Sequence, residues 1–262
     1  MSSSNKRDYK NAPQSVINFY FHQHSKLDYD YVSKRHNWYK NLNKQQYQLK
    51  TLLELCDDII DPSDPDIGES QIHHAFQTAE MLRYMNDVPE WMPLVGLIHD
   101  LGKVAVKTHK IEWYESAGDS FPLGCAFSNK VILDHGFEQN KDYNNPKYNT
   151  KLGIYRENCG FDNCLFWGHD EIMYQALNNS NTKLPEEALY TIRYHSFYSW
   201  HNQGGYDYLS SKKDKEYLKY LKMFQKADLY SKTDKKLFTI DHLRDPFYIN
   251  LINKYLPNMI MF

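Results

Sequence analysis

The strongest constraint on the fold lies between residues 71 and 231, where apolar residues recur every three or four positions and histidines and aspartates recur among them. Ile72, Ala75, Phe76, Ala79 and Leu82 mark the core face of a helix that begins near Gln71. Pro93 opens another, with Leu94, Leu97, Ile98 and Leu101 inward and Gly102 near its end. Further helices are predicted over 164–178, 185–200 and 214–231, the second starting on Pro185-Glu186-Glu187, whose charges suit the positive end of a helix. Upstream, 19–56 reads as one helical stretch, and residues 1–20 read as a polar, irregular arm. Residues 108–160 read as loops with turns at Phe121-Pro122-Leu123-Gly124 and Asn144-Asn145-Pro146. No segment alternates like a strand, so the prediction is a single all-α domain: an arm over 1–20 and a helical domain over 21–262.

Composition narrows the function. The chain has 262 residues, 41% of them hydrophobic, which is enough for a sizeable core, and a net charge of -2 with no basic cluster, so nucleic-acid binding is not expected. No run of apolar residues is long enough for a membrane helix, and the first residues lack the apolar stretch of a secretory signal. A cytoplasmic location is expected. Cys56, Cys125, Cys159 and Cys164 form no Cys-x-x-Cys pair and read as reduced thiols, so any metal must be held by nitrogen and oxygen. The acidic turn from Asp57 to Asp66 looks like a calcium loop only superficially, since the twelfth position is Ile72 rather than Glu.

The histidines and inward aspartates carry the chemistry. His74 shares a second stripe with Gln77, Thr78 and Met81, too apolar for plain solvent surface. His99 lies with Val95, Gly102 and Val106, His169 with Leu165, Ile172 and Ala176, and His195 with Ala188 and Ile192. Asp228 falls one turn after Phe224 and two after Leu221. An unpaired buried carboxylate costs several kcal/mol, so such groups need a cation, a network or a metal. A shared metal centre accounts for four histidines and two aspartates on five predicted helices at once. Because neighbouring helix residues point about 100° apart, the pair His99-Asp100 suggests two ions with the carboxylate between them. Imidazole and carboxylate without thiolate suit iron, manganese or cobalt, with zinc also open. There is no Glu-x-x-His pair of the ferritin-like kind, no His-Glu-x-x-His, no Walker loop and no Rossmann glycine fingerprint.

The strings His74-Ala75-Phe76-Gln77-Thr78-Ala79-Glu80, His99-Asp100-Leu101-Gly102-Lys103 and Trp167-Gly168-His169-Asp170-Glu171 resemble the HD-domain superfamily. More narrowly they resemble the myo-inositol oxygenase family, a likeness that continues through His195-Ser196-Phe197-Tyr198 and Asp228-Leu229-Tyr230-Ser231-Lys232. It also reaches Asp61-Pro62-Ser63-Asp64-Pro65-Asp66 and Arg7-Asp8-Tyr9, so it spans nearly the whole chain in order. The resemblance implies an HD-type helical bundle with a dinuclear site inside. His74, His99 and Asp228 would hold one iron, His169 and His195 the other, and Asp100 would bridge them. His74 rather than His73 is chosen because it precedes the Ala-Phe-Gln-Thr-Ala-Glu run. The family's reaction cleaves a ring carbon–carbon bond of myo-inositol with dioxygen to give D-glucuronate, working from a mixed-valent Fe(II)/Fe(III) pair. One iron would chelate substrate and the other would take dioxygen. Lys103 would contact an oxygen held by the metal and ease its deprotonation, and with Asp100 would be catalytic. Arg7, Asp61, Ser63, Lys103, Gly118, Asp119, His195, Ser196 and Lys232 would contact substrate, and Asp170 would orient a ligand. The other histidines are expected on the surface or in ordinary packing, and the chain is expected to be a monomer. The main alternative is a metal-dependent phosphohydrolase of the HD superfamily. A helical binding module that has lost its chemistry is a weaker one, since all six ligand positions are filled.

Overall fold

A helix needs a start signal and one face to bury, and both are present along most of this chain. The computed structural model describes residues 9–64, 70–229 and 238–262, which carry eleven α-helices. Helix α1, Gln14–Lys26, follows Pro13 and buries Val16, Phe19, Tyr20, Gln23 and His24, one stripe at helical spacing. It begins inside the segment read above as an irregular arm. Over residues 9–20, among those described, there is a short 3-10 turn and then helix, because that stripe packs with Tyr9 and Ala117 as a satellite core.

The predicted helical stretch 19–56 is three helices. Asp28 breaks the run by accepting a hydrogen bond from the Tyr31 backbone at 2.8 Å, which caps α2, Tyr29–Asn41. A two-residue strand, β1 (Gln46–Tyr47), then pairs antiparallel with β2 (Ile260–Met261), in register Gln46 to Met261 and Tyr47 to Ile260. Helix α3, Leu49–Asp57, buries Leu49, Leu52, Leu53 and Cys56 on one face.

The centre is built by α4 (Gln71–Tyr84), which is buried on nearly every side through Ala79, and α5 (Met92–Ile98), buried along its whole length. Ser70 caps α4 through the His73 backbone. Helix α5 hands over directly to a 3-10 helix, His99–Val104, and then to the short α6 (Ala105–Thr108). Residues 109–168 contain turns and 3-10 segments, as the loop-rich reading has it. Around this core stand α7 (His169–Asn179), α8 (Glu186–Tyr194), α9 (Tyr198–His201), α10 (Lys212–Asp228) and α11 (Pro246–Tyr255).

Three boundaries differ from those predicted, two because a tertiary bond replaces a helical one and the third because of a local cap. Residues 164–168 do not belong to α7, since Leu165 pairs across to Leu123, whose backbone N–H donates to its carbonyl at 2.9 Å. The stretch 185–200 splits after Tyr194 because the Ser196 carbonyl accepts from the Ser120 backbone at 3.2 Å. Helix α10 starts two residues earlier than 214, on a capping box between Ser211 and Asp214. The molecule is all-α in class, and among the described residues no helix is long and apolar enough to cross a membrane.

Candidate metal centre

Six side chains from five places in the chain meet at the centre: His74 on α4, His99 and Asp100 on the 3-10 helix, His169 at the start of α7, His195 just past α8, and Asp228 at the end of α10. All six are buried. The approach of α7 to the 3-10 helix depends on Gly102, where a side-chain carbon would fall 1.9 Å from the His169 carbonyl oxygen. His169 is therefore the first residue of its helix and not mid-helix beside Leu165, and its placement comes from that close backbone contact.

Backbone carbonyls fix the imidazoles. A carbonyl can only accept, so each ring nitrogen facing one carries the hydrogen. Nδ1 of His99 donates to the Gly96 carbonyl at 2.8 Å, that of His169 to Ser116 at 2.7 Å, and that of His195 to Ile192 at 2.8 Å. In each neutral ring the Nε2 lone pair is then left pointing into the centre. Nε2 of His169 and Nε2 of His195 lie 3.1 Å apart. Two lone pairs at that separation repel unless a proton or a cation stands between them.

The carboxylate of Asp100 divides the centre in two. Its Oδ1 lies 3.2 Å from Nε2 of His169 and 3.6 Å from Nε2 of His195, while its Oδ2 lies 3.3 Å from Nε2 of His99 and 3.9 Å from Nε2 of His74. Asp228 joins the second half, with Oδ1 at 3.0 Å from His74 and 3.5 Å from His99. Two donor sets result, His74/His99/Asp100 and Asp100/His169/His195, each with its ligand atoms within 4.8 Å of one another. The donor chemistry, nitrogen and carboxylate oxygen with no thiolate, fits hard to borderline divalent or trivalent ions.

The electrostatics agree with an anionic seat for cations. Burial alone would favour protonated acids, yet His99 and Lys103 hold Asp100 well below the usual carboxylate range, and His74 and His99 do the same for Asp228. Against the cost of burial, Asp100 and Asp228 lift His99 to about 10, so a proton there occupies the nitrogen a metal would use. Burial pushes His74 and His169 down.

Lys103 is fully engaged: its ammonium reaches Asp61 Oδ2 at 2.7 Å, Asp100 Oδ2 at 2.8 Å and Gln71 Oε1 at 3.0 Å. Despite its burial, the two carboxylates raise its pKa and keep it charged. Asp61 in turn accepts from the Ser63 backbone and hydroxyl at 2.8 and 2.6 Å. Gly118, with a φ of 82° and a Gln23 amide where a side chain would be, turns the chain so that Asp119 faces the cavity. Ser196 donates to Asp170 Oδ2 at 2.5 Å.

The cavity thus collects Asp61, Ser63, Asp100, Lys103, Gly118, Asp119, His195 and Ser196 together with the remaining ligand candidates. Arg7 and Lys232 lie outside the described residues. The choice between the adjacent histidines falls to His74, since His73 is turned away, accepting from the Phe238 backbone at 3.0 Å and meeting Gln77 at 2.6 Å. Asp170, expected to orient a ligand, lies with Oδ1 3.8 Å from Nδ1 of His169 and accepts the Ser196 hydroxyl on Oδ2, while the Ser116 carbonyl takes the Nδ1 hydrogen of His169. His201, assigned to ordinary packing, is buried and donates to the His195 carbonyl at 2.9 Å. Gln71, Tyr20, Asp64 and Tyr198 also line the cavity without having been assigned a role. Gln71 stands three residues before His74, a helical spacing that could have found it.

Comparison with known proteins follows the same lines. A family model described as "Myo-inositol oxygenase" matches residues 13–262. The chain is 44% identical to "Inositol oxygenase 2" of Arabidopsis thaliana over 258 residues, covering 96% of this chain and 81% of that protein. It is 41% identical to "Inositol oxygenase" of Dictyostelium discoideum, covering 96% of this chain and 88% of that protein. To "Inositol oxygenase" of Danio rerio it is 39% identical, covering 94% and 88% respectively.

Proposed function

The chain belongs to the myo-inositol oxygenase family, and from that premise we propose that it oxidises myo-inositol at two iron ions held by His74, His99, Asp100, His169, His195 and Asp228. The proposed reaction consumes one dioxygen, cleaves a ring carbon–carbon bond and yields D-glucuronate and water. Bound iron in the Fe(II)/Fe(III) state would relay the polyol's own electrons to dioxygen and acidify the hydroxyls of the polyol. The observation that carries the reading is Asp100, whose two oxygens face two different histidine pairs while the His169 and His195 lone pairs converge at 3.1 Å.

The protein's own part is to bind, orient and hold protons. A neutral polyol offers only hydroxyls, which both donate and accept. Asp119 and Asp61 offer carboxylate oxygens to the cavity. The Ser196 proton is committed to Asp170, so its oxygen is presented as an acceptor. Lys103 places a fixed positive charge beside Asp100, where it favours a deprotonated substrate hydroxyl. All three of its N–H donors already have acceptors, so a substrate oxygen that reaches it must displace one of them. Gln71, the neutral partner, gives way at least cost.

The phosphohydrolase alternative needs a cationic wall. Among the described residues lining the cavity Lys103 is the one lysine or arginine, set against Asp61, Asp64, Asp100, Asp119 and Asp228. Counting only the protein's own groups that balance is anionic, so a phosphate would depend on bound ions alone, whereas a neutral polyol can use the carboxylates directly. Oxygen uptake on adding myo-inositol to the iron-loaded, partly reduced protein tests the proposal. One dioxygen consumed per glucuronate formed is expected. An absence of uptake, with phosphate released from nucleotides instead, would overturn it.

A further inference from the structure

We propose that Tyr198 is a positioning residue that holds Asp228 with one carboxylate oxygen turned to the ion and the other turned away, an inference that rests on the two-ion reading above. Asp228 is the last residue of α10, where the helix presents its partial negative end. A buried carboxylate there gains nothing from the helix and depends on its neighbours. Its Oδ1 faces His74 and His99, at 3.0 and 3.5 Å. Its Oδ2 accepts the Tyr198 hydroxyl at 2.8 Å.

A phenol suits that task. It satisfies the outer oxygen with a directional hydrogen bond and adds no charge, so the negative charge of Asp228 stays available to the ion. With Oδ2 engaged, the carboxylate cannot rotate freely to offer both oxygens inward. Tyr198 is itself well placed, because it opens the short helix α9 three residues after His195. From the same helix His201 donates to the His195 carbonyl at 2.9 Å. One helical turn therefore braces a ligand candidate on each side of the centre, and Tyr198 is the arm that reaches the His74/His99 side. If Tyr198 were merely packing, its ring contact with His201 at 5.2 Å would suffice and the hydroxyl would be dispensable.

The test replaces the hydroxyl and reads the metal rather than turnover. Anaerobic titration of the full chain with Fe(II) and Mössbauer spectra of the loaded protein are compared for the unaltered chain, Tyr198→Phe, and a control, Tyr206→Phe. The Tyr206 oxygen accepts from the Ser128 backbone, away from the centre. In Tyr198→Phe one of the two irons is expected to bind about 10- to 100-fold more weakly, with one quadrupole doublet altered and the other kept. Tyr206→Phe is expected to leave both irons as they were. A 3-fluorotyrosine at 198 keeps ring and hydroxyl, so it guards against misfolding. Its stronger donor should move the same doublet. Equal weakening of both irons, no change at either, or the same change in Tyr206→Phe would each overturn the role of Tyr198. Fewer than two irons in the unaltered chain would instead bring down the two-ion reading, and this inference with it.

Discussion

At the scale of single residues, the centre is an exercise in keeping charge buried at tolerable cost. Asp61 and Asp100 are both buried, and the ammonium of Lys103 stands between them at 2.7 and 2.8 Å. Removing one member of such a group typically costs about 3–5 kcal/mol, because the partners are left uncompensated. Lys103→Ala is accordingly expected to lower the stability of the metal-free protein by about that amount in urea unfolding, with bound metal recovering part of it. In the loaded protein the same variant should still take up two irons yet turn over about 100-fold more slowly, as loss of a positioned proton-handling group does. Normal turnover would show that the charge of Lys103 is structural. Which residues could act was largely legible here. An aspartate or histidine on an apolar stripe announces itself by the cost of burying it. What could not be read was the partner of each, since Ser116 reaches His169 from 53 residues away and Tyr198 reaches Asp228 from 30.

At the scale of elements, the ends of helices do more than their middles. His99, His169, His195 and Asp228 all lie at or beside a helix terminus, where a side chain can be aimed without following the spiral. The close contact that sets α7 against the 3-10 helix runs through Gly102. Gly102→Ala is therefore expected to force the two backbones apart, destabilising the fold by about 1–3 kcal/mol or more. On the proposed two-ion reading it should also loosen the ion at His169/His195 before the one at His74/His99. Thermal unfolding with and without metal, together with metal counts, checks this, and a variant with unchanged melting and two tightly held ions would contradict it. Helix cores were legible from their three- and four-residue spacing. Helix ends were misread wherever a distant backbone group outcompeted the helical bond, as Ser120 does at Ser196 and Leu123 does at Leu165.

At the scale of the whole molecule, α1 is fastened to the rest by groups that water would otherwise claim. His24 on α1 is buried, stacks on Phe137 at 4.1 Å, and donates from Nδ1 to the His135 carbonyl at 2.9 Å. Burial lowers its pKa to about 4, so the fold keeps it neutral while the unfolded chain takes a proton near 6.5. The stability it contributes is present in full above that unfolded value and is lost as pH falls from about 6.5 towards 4, at most about 3 kcal/mol. His24→Gln should flatten the dependence of the urea midpoint on pH across that window. An identical slope in the variant would mean that other groups set the acid limit. By itself the sequence determined the class of fold and most helix faces, and it pointed to the six buried histidines and aspartates that the fold brings together. Those follow from local periodicity and from the expense of burying charge, both of which operate over a few neighbouring residues. Tertiary structure alone decided which nitrogen of each imidazole faces the centre, how Asp100 divides its oxygens between two histidine pairs, and which phenol or carbonyl holds each ligand candidate. These are contacts between segments far apart in the chain, chosen by packing and hydrogen-bond competition that no local pattern records.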